Sequence, residues 1–478
     1  MSQATPTGTR PDPPAITTKR ALLALAWPAV LSYLLNNSYR INDQFWIQGL
    51  GESAQSAAGG VIFVLIMNFS VAFLAAGGTL SLIARALGAQ TPERLDRITR
   101  HALALAALIG LSLTLVGPWI TPSLVRWLGL EGEIAVHAEG YLATLYWLAL
   151  PMFLVPTLDS VFIGRGHTRI PLLLQAIAIG FNFLLNPLLI YGRDIEGAMP
   201  GTPLVSTFAA VADSLGIEGR GMVGAALATG LSRSVIALVG LGLLVFMFST
   251  QLVRRARPDR ALVRRILSIS APMSLSIAMY AGVYWLILAL VFDDLPASDR
   301  AGLGIGFQVF EGVAYPVYLG LAMAGASLVG RALGASDRAA AWQVVHNTRW
   351  FARVAGILAT LGFLLLARPA GRLFTQNPEI LQAVVLYVTV LAASQYWVAM
   401  ETVNEKILMG SGETRRIPWI TGLGNGLRVP VGYGLAVTLG FGAAGVYWAI
   451  NLTTWLKAGL FWALVQRGVW VERLGTDG

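Results

Sequence analysis

The chain has 478 residues, of which 55% are hydrophobic and only 12% charged, and its mean hydropathy is +0.65. Soluble domains keep about a quarter of their residues charged, so this composition excludes them and points to an integral membrane protein. Cysteine is absent, which removes disulfides, thiolate metal sites and thiol redox chemistry together.

Residues 1–19, rich in Pro and Thr, read as a disordered N-terminal tail followed by a retained helix, with no short apolar region and cleavage site of a signal peptide. A bilayer-crossing helix needs about 20 apolar residues. Hydropathy places such spans near 20–46, 55–80, 98–122, 138–162, 170–192, 221–249, 266–292, 302–327, 350–367, 380–408, 416–440 and 442–466. The predicted fold is all-α: twelve transmembrane helices in two six-helix lobes. The N-terminal lobe covers 20–250 and the C-terminal lobe 266–466, joined by a basic linker, 251–265, with a C-terminal tail at 467–478.

Most basic residues fall in the tails and the even-numbered loops, whereas the odd loops hold Glu52, Glu131, Glu133, Glu139, Asp293, Asp294 and Asp299. Basic loops stay in the cytoplasm, so both termini are expected there, in a multi-pass protein of the cell (inner) membrane. The net charge of +9 then reads as an orientation signal, and no nucleic-acid partner is expected. The four histidines, His101, His137, His167 and His346, are too scattered for a metal site on one helix. None of Lys19, Lys406 and Lys457 lies in a phosphate-binding loop frame. Neither a metal nor a cofactor is expected, and with no G-x-S-x-G elbow an embedded enzyme has no support.

The chain repeats itself. Ser81-Leu-Ile-Ala-Arg-Ala-Leu-Gly-Ala89 recurs as Ser327-Leu-Val-Gly-Arg-Ala-Leu-Gly-Ala335, and Gly164-Arg-Gly-His-Thr-Arg169 recurs at the same offset as Gly410-Ser-Gly-Glu-Thr-Arg415. Pro28 pairs with Pro272, and Gly219-Arg-Gly-Met-Val-Gly224 with Gly440-Phe-Gly-Ala-Ala-Gly445. The last pair has a shorter offset, so the first half carries about 25 extra residues between its fifth and sixth spans. Six spans per half make the repeats parallel, a design in which transporters bind cargo between the halves near mid-membrane. A twofold repeat without a pore-loop pattern argues against a channel. Each Arg-Ala-Leu-Gly-Ala stretch reads locally as a helix end, with glycine terminating and arginine anchoring at the interface.

These doubled motifs, with Pro28 and Asp43-Gln-Phe-Trp-Ile-Gln-Gly-Leu-Gly51, resemble the MATE (multidrug and toxic compound extrusion) transporters from about residue 20 to 466. The resemblance implies two six-helix lobes around a central cavity and export of organic cations against protons or sodium ions. It also implies a coupling-ion site in which a first-span aspartate faces a fifth-span Asn-x-x-x-Asp pair. Here those positions are Asp43, Asn182 and Asn186; the second acid is an amide, which cannot take up a proton.

Carboxylates inside a membrane bundle pair a base, line a cavity or carry a proton. Asp43, Asp159, Glu311, Glu401 and Glu405 fall within the spans, accompanied by Arg40, Arg233, Arg428 and Lys457. Helical spacing puts Asn36, Tyr39, Arg40 and Asp43 on one face. Arg40 either bridges Asp43 permanently or releases it in one conformation, and release is what proton coupling requires. Asp159 and Glu405 are repeat equivalents expected to cap or pair with local arginines. Glu311 and Glu401 are additions of the second half, which Arg428 could neutralise. A cavity for flat cations would be lined by aromatics and amides; the candidates are Tyr33, Tyr39, Tyr280, Tyr284, Trp285, Phe307, Tyr315, Gln395 and Tyr396. The function expected is secondary active export of organic cations by proton-favoured antiport, by a monomer whose two lobes rock. The alternative is a lipid-linked oligosaccharide flippase of the same superfamily, which would need Arg40, Arg233 and Arg428 to converge.

Overall fold

The structure, a computed structural model, describes residues 17–202, 204–248, 259–291, 295–375 and 377–472. Most of the N-terminal tail (residues 1–16), residues 251–258 of the expected linker, the loop acids Asp293 and Asp294, and residues 473–478 of the C-terminal tail lie outside them.

Twelve helical segments follow one another as hydropathy requires. They are α1 (Lys19–Ile47), α2 (Ile62–Gly88), α3 (Pro92–Trp127), a broken α4 (Gly132–Trp147 then Ala149–Gly164), α5 (Arg169–Ile190), α6 (Gly221–Phe248), α7 (Arg260–Leu290), α8 (Gly312–Gly334), α9 (Arg338–Phe374), α10 (Pro378–Gly410), α11 (Ile417–Tyr433) and α12 (Gly442–Gln466). Among the described residues nine stretches are long and apolar enough to cross a bilayer, and the bent pair forming α4 is a tenth; α11 and α12 complete the expected set. With 29 residues at 1.5 Å each, α1 is about 44 Å long, more than the roughly 30 Å hydrocarbon core. Helices overrun the predicted spans because charged terminal turns continue them. Thus α9 begins at Arg338, where the Asp337 carboxylate accepts the Ala340 N–H, and α7 begins at Arg260, where the Asp259 side chain accepts the Leu262 N–H. The last residues of the expected 251–265 linker are therefore helix.

Breaks have local causes. The two parts of α4 meet at 63° next to Pro151, whose missing N–H cannot close the helix onto Trp147. The polypeptide entering α8 runs through Ala297–Ile305 and a π-helical turn, Gly306–Glu311, in the glycine-rich stretch. The extra residues of the first half form two short helices, Ile195–Ala198 and Val205–Leu215. Phe208 on the second meets the Trp46 ring edge-on at 6.1 Å, so the insertion covers one end of the first half's apolar core.

The halves meet along α1 against α8 and α2 against both α7 and α8. At the end where α1 starts, small residues let the backbones touch. A β-carbon on Gly88 would lie 2.7 Å from the Arg331 carbonyl carbon, and one on Gly334 would lie 2.8 Å from that of Arg85. Ser81 Oγ donates to the Gly410 carbonyl (3.0 Å) and Ser327 Oγ to the Ile163 carbonyl (2.8 Å). Arg85 donates to the Ser411 carbonyl in the other half's Gly-x-Gly turn, while the Arg331 guanidinium lies against Gly166 in the first half's turn. The repeated motifs do end α2 and α8, as expected, but they also bind each half to the other, reciprocally. The same end holds the first and last described stretches: Asn347 donates to the Thr17 carbonyl and Trp342 packs on Trp470.

Candidate functional site

The first half surrounds one buried carboxylate with neutral donors. On α5, Asn182 and Asn186 share a face one turn apart, as do Thr229 and Arg233 on α6. Asn182 Nδ2 (3.0 Å) and Asn186 Nδ2 (2.8 Å) both donate to Asp43 Oδ1, and Thr229 Oγ1 donates to Oδ2 at 2.9 Å. The ring continues outward: Trp46 Nε1 donates to Asn42 Oδ1 (3.2 Å) and Asn42 Nδ2 to Asn182 Oδ1 (2.7 Å). Asp43 is 9% exposed and both amides are fully buried. Beside the carboxylate, Asn186 Oδ1 is buried with no hydrogen-bond donor. Such an acceptor costs about 1–3 kcal/mol if nothing ever satisfies it.

Arg233 lies within electrostatic reach of both acids of this half, Asp43 and Asp159. Its Nη1 donates to Gln175 Oε1 at 3.2 Å, its guanidinium carbon sits 4.6 Å from the centre of the buried Tyr39 ring, and Gln175 reaches Asp159 Oδ2 at 3.5 Å. Thr229 was not among the expected site residues, and Arg233 was expected only as a base within the spans and for the flippase alternative, although two polar side chains one turn apart in an apolar span were the signal for both. Of the two alternatives for Arg40, the standing bridge to Asp43 is absent. Arg40 makes no ion pair with Asp43 and is exposed, its electrostatic partners being the Tyr280 and Tyr141 phenols. Residues 40 and 43 are 300° apart around a helix, equivalent to a separation of about 60°. The two helices holding Asp43 draw it inward, and Arg40 is left on the flank facing the other half.

The second half pairs its acids. Lys457 Nζ lies 2.7 Å from Glu401 Oε1, with side chains 5% and 14% exposed, and Lys406 Nζ lies 2.7 Å from Glu405 Oε1. Lys457 rather than Arg428 thus neutralises Glu401, and a lysine rather than an arginine serves Glu405. Gly424 makes this possible, because a β-carbon there would run into the Lys457 stem. Arg428 donates instead to Thr453 and Thr454, both at 3.0 Å, and stands 5.8 Å from the Tyr284 ring. It remains within electrostatic reach of Glu311, whose Oε1 accepts the Tyr387 hydroxyl at 3.0 Å.

The aromatic candidates divide. Tyr280 and Tyr284 pack at 4.6 Å with Phe307 5.9 Å from Tyr284, and Tyr33 of one half is in electrostatic reach of Tyr315 of the other. Tyr39 is buried beneath Arg233, and Asn36 is partly exposed on α1. Others do not join them. Trp285 stacks on Trp127 at 5.6 Å, Gln395 is buried and accepts the Tyr318 hydroxyl, and Tyr396 meets Trp397 edge-on on α10. No group of histidine and acid side chains among the described residues could hold a metal ion. His101 is occupied by backbone, its Nε2 accepting the Asp259 N–H at 3.0 Å.

Known proteins resemble the chain throughout its length. The "Probable multidrug resistance protein NorM" of Bradyrhizobium diazoefficiens is 28% identical over 92% of this chain and 91% of its own. The protein of the same name from Thermotoga maritima is 24% identical, over 83% and 81%. Among solved structures, one described as the outward-facing conformation of a multidrug resistance MATE family transporter of the MOP superfamily superposes with a TM-score of 0.84 at 21% identity, covering 98% of this chain and 99% of that one. A MOP superfamily transporter from Pyrococcus furiosus, described as having a binding pocket of reverse polarity, superposes at 0.80 with 21% identity, over 96% and 98%. These structures share the fold. The MatE family model matches residues 28–188 and again 272–434, one copy in each half, and the chain therefore belongs to the MATE family of membrane transporters, a family of carriers rather than enzymes.

Proposed function

We propose that the protein is a multidrug exporter of the cell inner membrane, with both termini cytoplasmic, driven by a coupling cation taken up at Asp43. The observation that carries this reading is the carboxylate itself. It is buried, held by three neutral donors and flanked by an amide oxygen with no donor. Burying an ionised carboxylate is costly, and a cation that neutralises it removes the cost. A proton suits the site better than sodium: the amides turn nitrogen, not oxygen, toward Asp43, whereas sodium needs a cage of oxygens. A 180° turn of the Asn186 amide would let its oxygen accept a hydrogen bond from Asp43 once that carboxyl is protonated. The Glu401 carboxylate already holds the Lys457 ammonium, which favours the N-terminal lobe as the coupling lobe.

Transport follows by rocking of the lobes about the α1–α8 and α2–α7 contacts, with the Arg85 and Arg331 contacts closing the cytoplasmic end while cargo leaves outward. One copy of the chain holds all these parts, consistent with a monomer. Drugs are the cargo class that the relatives' names suggest, and organic cations are the class of drug we assign to the cavity. The flippase alternative needs converging guanidiniums, but Arg233 and Arg428 are tied inside separate halves. In proteoliposomes under separately imposed proton and sodium gradients, Asp43→Asn should abolish gradient-driven efflux while the purified protein stays monodisperse. Unchanged efflux would remove Asp43 from the mechanism, and a response to sodium alone would reassign the ion.

A further inference from the structure

Arg40 is a charge in the transmembrane bundle that has no ion-pair partner among the described residues. Every acid in the spans has a basic neighbour. Glu401 and Glu405 are ion-paired with Lys457 and Lys406, Glu311 lies in the field of Arg428, and Asp43 and Asp159 share Arg233. Arg40, late in α1, makes neither an ion pair nor a side-chain hydrogen bond among the described residues, and it is exposed. An unpaired guanidinium at such a depth must face water rather than lipid.

Its surroundings show which water. One turn earlier, Asn37 Nδ2 donates across the seam to the Gly312 carbonyl at 2.9 Å, so this stretch of α1 borders the second half. The electrostatic partners of Arg40 come from both halves, Tyr141 from α4 and Tyr280 from α7. Arg40 therefore stands at the seam between the lobes. Neither phenol is an anion near neutral pH, but each can donate a hydrogen bond to one. Next to this point the Tyr280 and Tyr284 rings, 4.6 Å apart, offer apolar faces against which a flat molecule can lie.

Resting on the transport reading above, we propose that Arg40 is a cargo-recognition residue that binds an anionic group, so that the protein accepts aromatic carboxylates alongside organic cations. A guanidinium presents paired N–H groups that match the two oxygens of a carboxylate. The ring system of the cargo would lie on Tyr280 and Tyr284 and its carboxylate on Arg40, flanked by the Tyr141 and Tyr280 hydroxyls.

Two probes with one ring and opposite charge test this: 9-anthracenecarboxylate and 9-anthracenemethylammonium, titrated by fluorescence into the detergent-purified protein. Wild type should bind the carboxylate at least as tightly as the ammonium. Arg40→Gln should lose about tenfold or more in carboxylate affinity, the scale of a lost charge-assisted hydrogen bond, with ammonium affinity unchanged or improved. Arg40→Lys, which keeps the charge without the fork, should fall between. A wild type that prefers the ammonium overturns the proposal without any variant having to fold, and so does equal loss of both probes in Arg40→Gln. Repeating the titration in nanodiscs of phosphatidylglycerol and of phosphatidylcholine separates the two sources of anion. Competition by the anionic lipid alone would reassign Arg40 to a lipid headgroup and overturn cargo recognition. Gradient-driven movement of the probes by wild type in proteoliposomes tests the transport reading separately: if neither probe moves although the carboxylate binds through Arg40, that reading fails and the anion site stands.

Discussion

Gly88→Ala and Gly334→Ala should each pry the two halves apart at the end where α1 starts. Neither glycine has a positive φ, so both sit in ordinary helical backbone, and alanine there would by itself stabilise the helix by about 0.5–1 kcal/mol. The opposing half decides the sign. The new methyl at position 88 would stand 2.7 Å and 2.9 Å from the Arg331 carbonyl carbon and Cα, and that at 334 would stand 2.8 Å and 2.9 Å from those of Arg85. Carbon atoms pack at about 3.5–4.0 Å, so backbone must retreat from backbone by close to 1 Å, and no side chain can yield instead. Overpacking of this kind costs about 1–3 kcal/mol, which shifts the balance between closed and open forms by roughly 5- to 150-fold. Because the chain has no cysteine, Ser411→Cys, at a position only 2% exposed in the closed seam, is a clean reporter. Its maleimide labelling should accelerate in both alanine variants, and it should not in Gly459→Ala, where a β-carbon meets nothing within 4 Å. Unaltered labelling in Gly88→Ala and Gly334→Ala would refute the claim that these contacts hold the halves together.

Three further outcomes follow from the same geometry. Lys457→Met should destabilise the protein by about 3–5 kcal/mol by leaving Glu401 buried and unpaired, and Glu401→Gln added to it should restore most of the loss; a double-mutant cycle on thermal unfolding with no coupling would contradict the pairing. Thr229→Val removes one of the three donors to Asp43 while nearly keeping its shape, and should weaken coupled efflux far more than it lowers thermal stability; equal efflux would leave the hydroxyl without a role at the site. His167, in the turn between α4 and α5, is held below its ordinary value of 6.5 by burial and by the Arg331 and Arg165 guanidiniums. Closure against Arg331 is therefore fully supported above about pH 6.5 and weakens as pH falls through it, since opening lets the imidazole take up a proton. Labelling of Ser411→Cys, taken relative to that of free cysteine at the same pH, since maleimide reacts with the thiolate, should rise on acidification and lose that dependence in His167→Gln.

Architecture was legible because hydropathy and repetition are properties of segments. The twelve spans follow from composition in windows, and the extra residues after α5 from the shorter offset of the last repeat. Asp43, Asn182 and Asn186 were legible because a family pattern names them, and they do meet. What could not be read was which way a side chain turns when two helical neighbours compete for it. Arg40 and Asp43 lie on adjoining parts of one helix, yet α5 and α6 take the aspartate, leaving the arginine to the seam. Glu401 pairs with Lys457, 56 residues later, because Gly424 on a third helix leaves room for the lysine stem, a coincidence of three helices that no one-dimensional pattern records. Gln395 and Tyr396 failed as cavity residues for the same reason: an aromatic or amide in a span can turn inward to its own half as readily as toward the seam.

The repeated motifs acquire a second meaning from where they meet. Taken alone, Arg-Ala-Leu-Gly-Ala ends a helix and Gly-x-Gly makes a turn, and either task would tolerate many sequences. In the folded protein each arginine leaves its own half and meets the other half's turn, so the motif and its partner are constrained together, twice over, by one approximate twofold arrangement. Under the proposed rocking mechanism, contacts of this kind would give no directional preference of their own, because both halves contribute equivalently. Direction must then come from where the halves differ. They differ at Asp43, which has neutral donors and an unsatisfied amide oxygen beside it, against Glu401, which carries its own ammonium. On the transport mechanism proposed above, the symmetric end would supply two states of similar energy, and Asp43 would be the site at which one bound cation chooses between them.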